Sequence, residues 1–570
     1  MVSDKQLHGL FVLFFVAISI FLTLGRVGTA FDSFALLTPD LGVYASIAVG
    51  QDQPDLFPSD PFISNEKNIN SYNMVYVPLI RALKNIFGNY GTACAFLLPF
   101  FIFIHLIGYY VLGVSIFKNP WVGLFISLLI SAPISTYYDF WGLILDALPR
   151  FLYQGALPFL LALSIVRGNN PQWWPVIMAG LGILNYVHPL STPTWVIAFT
   201  LALWVSASGV KFWEKVRKMG MAILVLVIIL MPFLMNYVGS TAAGITDVVH
   251  YDQTLAILQA RFSTMSTTGL SAVLLNFFVG QQGVVSNFIW YFVCTLAVAG
   301  VIYGLTSPKA STEYAYMRQI AAWLAGIFIG SGLLPVLEQA VFAYLKKIPP
   351  EFELARTFRY MIPLILMAAF SALWMVKNEL QDKSRLGPTL SRNIFIAAGV
   401  ALLVAWGLRG EAQRLEFRGA VRQNMRCWLQ MQLVCSLPQE SMDLINVLDV
   451  VREETPAGSR IFSEGQEVAV RYYAIRPLVY TYKDGAPLAY TNPEQLLKWS
   501  VQQEVMDRLS FIRRFPFRRK EFMKDILELA NNAGAEYLIL AEPYNSNLFY
   551  PDALSLIYSN DSYSLHKIIP

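Results

Sequence analysis

Long apolar runs recur through the first 408 residues of this chain, and they constrain its fold more than any other feature. They fall at 9–25, 92–117, 121–137, 151–167, 173–187, 190–207, 219–238, 286–306, 319–341, 358–376 and 393–408. Runs of roughly 20 apolar residues have the length to cross about 30 Å of hydrocarbon. In lipid a lone segment must satisfy its own backbone, which it can do only as a helix. Charged residues make up 14% of the 570 and hydrophobic ones 55%, whereas soluble chains are roughly a quarter charged. The expected fold is a polytopic α-helical membrane protein with about eleven transmembrane helices and a polar C-terminal domain. The net charge of +4 supplies no basic face for nucleic acid.

Lysine and arginine in short loops set orientation. Lys211, Lys215, Arg217 and Lys218 form the clearest basic loop; 377–392 forms a second, and Lys118, Arg167 and Lys309 with Arg318 mark weaker ones. An alternating path puts all of these on the cytoplasmic side, together with the N-terminus. Lys5 precedes an apolar stretch without a small-residue cleavage site, which reads as an uncleaved signal anchor. The opposite side then receives 26–91, 138–150, the turn at 188–189, 239–285, 342–357 and everything after about 409. The segment 71–87 is amphipathic and suits the interface. This yields a transmembrane domain over 1–408 with a first external loop at 26–91, and an extracytoplasmic α/β domain over 409–570. The protein is expected to be multi-pass in the cell (inner) membrane.

Within 410–570 the pattern predicts strands at 460–462 and 536–541, a β-rich run at 477–483, helices at 495–507 and 520–533, and a hairpin over 554–567 turning at Ser559-Asn560-Asp561. Cys427 and Cys435 also lie here. A disulfide between them needs a turn, because on a helix this spacing holds them about 12 Å apart; both outcomes stay open.

The first external loop holds Asp40, Asp52, Asp55 and Asp60. Thr38-Pro39-Asp40 reads as N-cap, first position and first turn of a helix continuing through Tyr44. An aspartate there complements the helix dipole without any further role, yet a helix start at a membrane surface can also present a base or an anion site. Asp139, Asp146 and Arg150 cluster at an external helix end. Asp146 and Arg150 are spaced for an ion pair if the helix is regular, although Pro149 stands between them. His188 precedes Pro189 in a turn and fits a hydrogen-bonded cap or a site residue; His105 sits within an apolar run and suits a core hydrogen bond. No HExxH pattern exists, so zinc is not expected. Arg356 and Arg359 share a helical face and either snorkel or bind a ligand. Arg513, Arg514, Arg518 and Arg519 alternate with phenylalanines, a pattern suited to anionic headgroups, to an acidic glycan or to a neighbouring protein. Tyr480, Tyr482, Lys483 and Asp484 form a candidate patch for stacking on sugar rings.

The motifs DLGVY and DLFPSDPF in the first loop, RFLYQGALPFLLAL and AGLGILNYVHPLS in the middle, RTFRYMIP late in the membrane part and VYTYKDG in the C-terminal domain together resemble the GT-C superfamily of membrane glycosyltransferases. The resemblance spans most of the chain through short motifs. It implies transfer of a sugar from a polyprenyl-phosphate-linked donor to a glycan, lipid or protein acceptor. Asp40 would act as base or orient the acceptor hydroxyl, its carboxyl raised in pKa by apolar surroundings. Arg356, Arg359 and Arg150 would bind the donor phosphate, with Lys346 and Lys347 as weaker candidates. Tyr44, Asp139, Asp146, His188, Tyr482 and Lys483 would support the acceptor. Many members carry two adjacent acids where this chain has Asp40-Leu41. No metal ligand set is therefore assigned, while a divalent ion (Mg or Mn) stays open, with Asp52, Asp55 or Asp60 as substitutes. Membrane lipid is an implied partner, and the C-terminal domain leaves room for a protein partner. The alternatives are a non-catalytic assembly subunit with this fold, and a transporter.

Overall fold

Helices whose side chains are apolar all round pack against one another where small residues permit. The computed structural model describes residues 4–27, 37–70, 75–132, 134–135, 140–241, 251–261, 271, 277, 284–307, 314–348, 353–383, 439–465, 467–515, 518–541 and 552–569. Helix α1 is Asp4–Val27; α2, Pro39–Asp52; α3, Glu66–Asn70; α4, Tyr76–Phe87; α5, Tyr90–Phe117; α6, Pro120–Ser131. A two-stranded ribbon of β1 (Ile134–Ser135) and β2 (Phe140–Trp141) leads to α7 (Pro149–Arg167), α8 (Trp174–Asn185), α9 (Thr192–Ser206), α10 (Phe212–Thr241) and α11 (Tyr251–Arg261). Then come α12 (Val284–Thr306), α13 (Ala315–Phe328), a π-helical turn at Ile329–Leu333, α14 (Leu334–Tyr344), a 3₁₀ segment at Leu354–Tyr360 and α15 (Met361–Lys383). Helices α5 and α7 cross closely because Gly108 and Gly155 face the partner backbone. A Cβ on Gly155 would lie 2.8 Å from the His105 nitrogen, and one on Gly108 would lie 2.4 Å from the Gly155 carbonyl.

Among the described residues seven helical stretches are long and apolar enough to cross a membrane, so the chain is a multi-pass membrane protein. Two of the expected spans are shorter: the run 121–137 becomes the twelve residues of α6, and 173–187 the twelve of α8. Asn119 and Pro120 start α6 as cap and first position, while Asn185 closes α8 ahead of the His188-Pro189 turn. The run 393–408, Cys427 and Cys435 lie outside the described residues. Amphipathic α4 buries Tyr76, Val77 and Ile80 against the body of the protein. His105 packs between the rings of Tyr109 and Phe151, at 5.1 Å from each, and among the described residues neither ring nitrogen has a hydrogen-bond partner. The expected core hydrogen bond is therefore absent, because the rings occupy the places of donors and acceptors.

The two ends of the bundle differ in chemistry. At one, the start of α1 meets α5 through His8 and Tyr110. Phe117 at the end of α5 meets Tyr316 and Trp374. Ser164 of α7 bonds Gln319 of α13 at 2.9 Å, and Gly168 abuts Leu203 of α9. Lys118, Arg167, Lys215, Arg318 and Lys377 stand at or near these helix ends, so the basic loops group as their alternation predicts.

The C-terminal part has α16 (Gln439–Glu454), α17 (Ala469–Tyr472), α18 (Gly485–Thr491), α19 (Pro493–Ile512) and α20 (Arg519–Asn532) around a sheet of β3 (Ile461–Ser463), β4 (Tyr537–Ala541), β5 (Leu554–Ser559) and β6 (Tyr563–Ile568). Its order is β3-β4-β6-β5, with β3 parallel to β4 and the other pairs antiparallel. The β5–β6 hairpin turns on Asn560, whose Oδ1 accepts the Ser562 and Tyr563 amides at 3.1 and 2.8 Å. The β-rich run 477–483 is not a strand: Leu478 makes an isolated bridge to Ile461, and Tyr482–Asp484 is a 3₁₀ turn.

This part is locked to the first loop. Arg471 is fully buried; its Nε donates to Asp60 Oδ2 at 2.8 Å, and its Nη1 and Nη2 donate to the two Asp484 oxygens at 2.6 and 2.8 Å. Asp60 also accepts the amides of Phe62, Ile63 and Leu478 at 2.9, 3.0 and 3.0 Å. Beside the lock, Asn492 donates to Asn68 at 3.1 Å, and α2 presents Gly42, where a Cβ would press Val468 and Tyr472 at 3.2 Å. Arg471→Met leaves both carboxylates buried without their cation. It should destabilise the protein by about 3–5 kcal/mol, against about 0–1 for the exposed Lys498→Ala, read as the unfolding midpoint in detergent.

Glu467, at the start of the short helix beside this lock, titrates at about 7 because burial and then the neighbouring Glu440 and Glu464 disfavour its charge. A carboxyl raised in the folded state contributes stability below its unfolded value near 4.5, and that contribution is lost as pH rises to about 7. Glu467→Gln should therefore flatten the fall in stability across this window and stabilise the protein above it, seen by comparing thermal melts of both proteins at each pH.

Candidate functional site

Thr38, Pro39 and Asp40 open α2 as their types dictate: Thr38 Oγ1 accepts the Leu41 amide at 3.3 Å, Pro39 takes the first position and Asp40 the first turn. Thr38 also donates its hydroxyl to Asp146, a buried carboxylate in the coil ahead of α7. Because α7 begins at Pro149, Asp146 and Arg150 do not share a helix, and the spacing argument for an ion pair between them fails.

Asp40 binds the Lys483 ammonium at 2.5 Å, with about half of the Asp40 side chain exposed. Burial acts to raise its carboxyl, but the charge and hydrogen bond of Lys483, followed by the charges of Arg150 and Arg356, bring it below the ordinary range. This corrects the expectation of a raised pKa: apolar surroundings are present, and cations outweigh them. Tyr44, one turn further on, meets Tyr76 edge-to-face at 5.2 Å. Its hydroxyl is raised by burial and then by Asp40, with Arg150 opposing.

The Arg356–Arg359 segment is a 3₁₀ helix, whose three-residue turn puts both arginines on one side. Arg356 pairs with Glu353, and Arg359 is buried with its Nε donating to the Arg356 carbonyl at 3.1 Å. Thr357 between them bonds Ser331 in the π-helical turn at 2.6 Å and Thr194 in α9 at 2.8 Å. Tyr360 bonds Ser191 at 2.7 Å, and Ser191 bonds His188 Nδ1 at 2.9 Å. His188 stays neutral, since burial and then Arg359, Arg150 and Arg356 press its pKa far down.

Asp40, Tyr44, Arg150, His188, Arg356, Arg359 and Lys483 thus act on one another at one end of the bundle, opposite the basic loops. Tyr482 is partly exposed beside them, with the Arg261 guanidinium 3.9 Å over its ring. Asp139 lies outside the described residues. The candidate sugar patch is smaller than its sequence suggests, because Tyr480 and Asp484 are buried. Lys346 and Lys347 are exposed at the end of α14. Among the arginines expected at the membrane surface, Arg513 bonds Glu464 at 2.6 Å, Arg518 bonds Glu521 at 2.7 Å, and Arg514 is exposed.

Among the described residues the candidate metal-binding acids are engaged elsewhere or, for Asp55, exposed. Asp40 faces cations; Asp52 is committed to Arg81 and Tyr90 at 2.6 and 2.7 Å, and Asp60 to Arg471. Among the described residues no three His, Cys, Asp or Glu side chains gather. Sequence reasoning missed Glu353, Arg261 and the Asp60–Arg471 pair. The DP-rich loop carries no local signal that one of its acids would be buried against an arginine 411 residues away.

No protein-family model matches the chain, and no curated protein matches it. Among solved structures it is similar to the crystal structure of ArnT from Cupriavidus metallidurans bound to undecaprenyl phosphate. The identity is 12% and the TM-score 0.40, over 98% of this chain and 97% of that one.

Thr38 both caps α2 and holds Asp146. Thr38→Val should cost about 1–2 kcal/mol, read by chemical unfolding, whereas Thr38→Ser should cost little.

Proposed function

We propose that the protein is a membrane glycosyltransferase of the GT-C kind, moving a sugar from a polyprenyl-phosphate-linked donor to an acceptor on the extracytoplasmic side. The observation that carries this reading is the gathering of Asp40 with Arg150, Arg356 and Arg359 at one end of an apolar bundle. Forked guanidinium groups suit phosphate oxygens, and a phosphate bound at the end of apolar helices can leave its hydrocarbon tail in the bilayer. Lysine and arginine at the opposite helix ends support a cytoplasmic N-terminus and a site facing outward.

In the proposed reaction the acceptor hydroxyl oxygen bonds to the anomeric carbon. The bond from that carbon to the phosphate oxygen breaks, and its electron pair departs with the polyprenyl phosphate, where the arginines balance the charge. Asp40, ionised, accepts the hydrogen bond of the acceptor hydroxyl, orients it and takes its proton as the new bond forms. Neutral His188, fixed through Ser191 and Tyr360, keeps the arginine-lined wall in register. A non-catalytic assembly subunit is the second reading, and the pairing of Asp40 with Lys483 favours it.

Mass spectrometry of lipids retained by the gently purified protein tests the proposal. A polyprenyl phosphate or its glycosylated form should be retained by the unaltered protein and lost from Arg356→Ala. Asp40→Asn should keep the lipid while glycosyl transfer falls by about 10²–10⁴-fold. Ordinary phospholipid alone, even after incubation with a panel of polyprenyl phosphates, favours the assembly subunit.

A further inference from the structure

Asp40 and Lys483 stand 443 residues apart in sequence and are joined by one short ion pair. The backbone beneath Lys483 is fixed on both sides. Asp484 is gripped by two nitrogens of buried Arg471. Thr481 Oγ1 accepts the Lys483 amide at 3.4 Å, and the Thr481 carbonyl accepts the Trp499 indole N–H at 2.9 Å. The Lys483 side chain is held differently. It is 29% exposed, and its ammonium has a single partner among the described residues, the Asp40 carboxylate. A four-carbon stem on a rigid base can move its charge by several ångströms while the fold stays still.

Two other cations of the site are less adaptable. Arg356 already pairs with Glu353, and Arg359 is buried with its Nε committed to a carbonyl. A phosphate entering beside Arg150 and Arg356 would meet the Lys483 ammonium at the carboxylate those arginines already act on. We propose that Lys483 is a further anion-binding residue, contributed by the C-terminal domain, and that it leaves the Asp40 carboxylate for the donor phosphate when the donor binds. No covalent bond changes; one ammonium exchanges one anionic partner for another. Asp40, relieved of its closest cation, then regains proton affinity while the donor is in place. The C-terminal domain in this way completes the site, and the Arg471 lock positions the residue that does so. The inference rests on the reading of this site as a lipid-phosphate site.

The test is binding of a polyprenyl phosphate to the full-length protein in nanodiscs, with the unaltered protein, Lys483→Met, Lys483→Arg and Asp40→Asn compared. Lys483→Met should weaken binding about tenfold or more, the worth of one charge-assisted hydrogen bond, and Lys483→Arg should retain most of the affinity. Asp40→Asn should tighten binding, because it removes the anion that competes for Lys483. Unchanged affinity in Lys483→Met, or unchanged or weaker affinity in Asp40→Asn, overturns the inference. If Lys483→Met does not fold, as thermal melting would show, the direction seen in Asp40→Asn decides. An unaltered protein that binds no polyprenyl phosphate overturns both this inference and the donor assignment. One that binds it equally well with and without Lys483 overturns this inference alone.

Discussion

The buried guanidinium of Arg471 is the interaction on which the rest of the extramembrane structure depends. It spans two carboxylates from distant parts of the chain, Asp60 and Asp484, and all three side chains are shielded from water. Burial disfavours any charge there, but Asp484 and then Asp60 more than offset this and raise the guanidinium's pKa. Such a group is costly to desolvate and costlier to leave without its partners. The arrangement satisfies the guanidinium, both carboxylates and the three amides on Asp60 together, with the Leu478 amide and Arg471 joining the first loop to the C-terminal domain.

The consequences reach the candidate site through short covalent links. Asp484 is adjacent to Lys483, which meets Asp40 on α2. Asp60 closes the turn that returns from α2, and Gly42 lets that helix lie directly on the short helix bearing Arg471. On the membrane side, the π-helical turn at Ile329–Leu333 brings Ser331 to Thr357 and so fixes the segment that carries Arg356 and Arg359. Such turns recur at functional positions because they aim side chains that a regular helix would not. The candidate site is therefore built where pieces from several parts of the chain meet.

Much of this was legible in the sequence. Thr38-Pro39-Asp40 specifies a helix start by chemistry that acts over a few residues, and the structure has it. EYLILA is a strand and Ser559-Asn560-Asp561 a hairpin turn for equally local reasons. Asp40, Arg150, His188, Arg356 and Arg359 could be singled out because polar groups next to apolar helix ends need partners, and Lys483 because it stands in a tyrosine-rich patch. Reading PLVYTYK as a β-rich run failed: Tyr480 serves burial and Tyr482 a contact with Trp499 rather than a ladder. Expecting Asp40 to carry a raised pKa failed for a related reason, since the lysine that lowers it is a neighbour only in space.

The sequence by itself determined the quantities that depend on local composition. These are the apolar runs that must become helices in lipid, the grouping of basic loops at one end, the capped start of α2 and the small mixed α/β domain. Tertiary structure alone decided which charges meet. Electrostatic energy depends on distance in space, screened over about 10 Å in salt, and is indifferent to separation along the chain. Whether Asp60 is bathed in water or buried on Arg471, and whether Asp40 stands by itself or faces a lysine from the far end of the chain, is settled only when the loop and the C-terminal domain pack together.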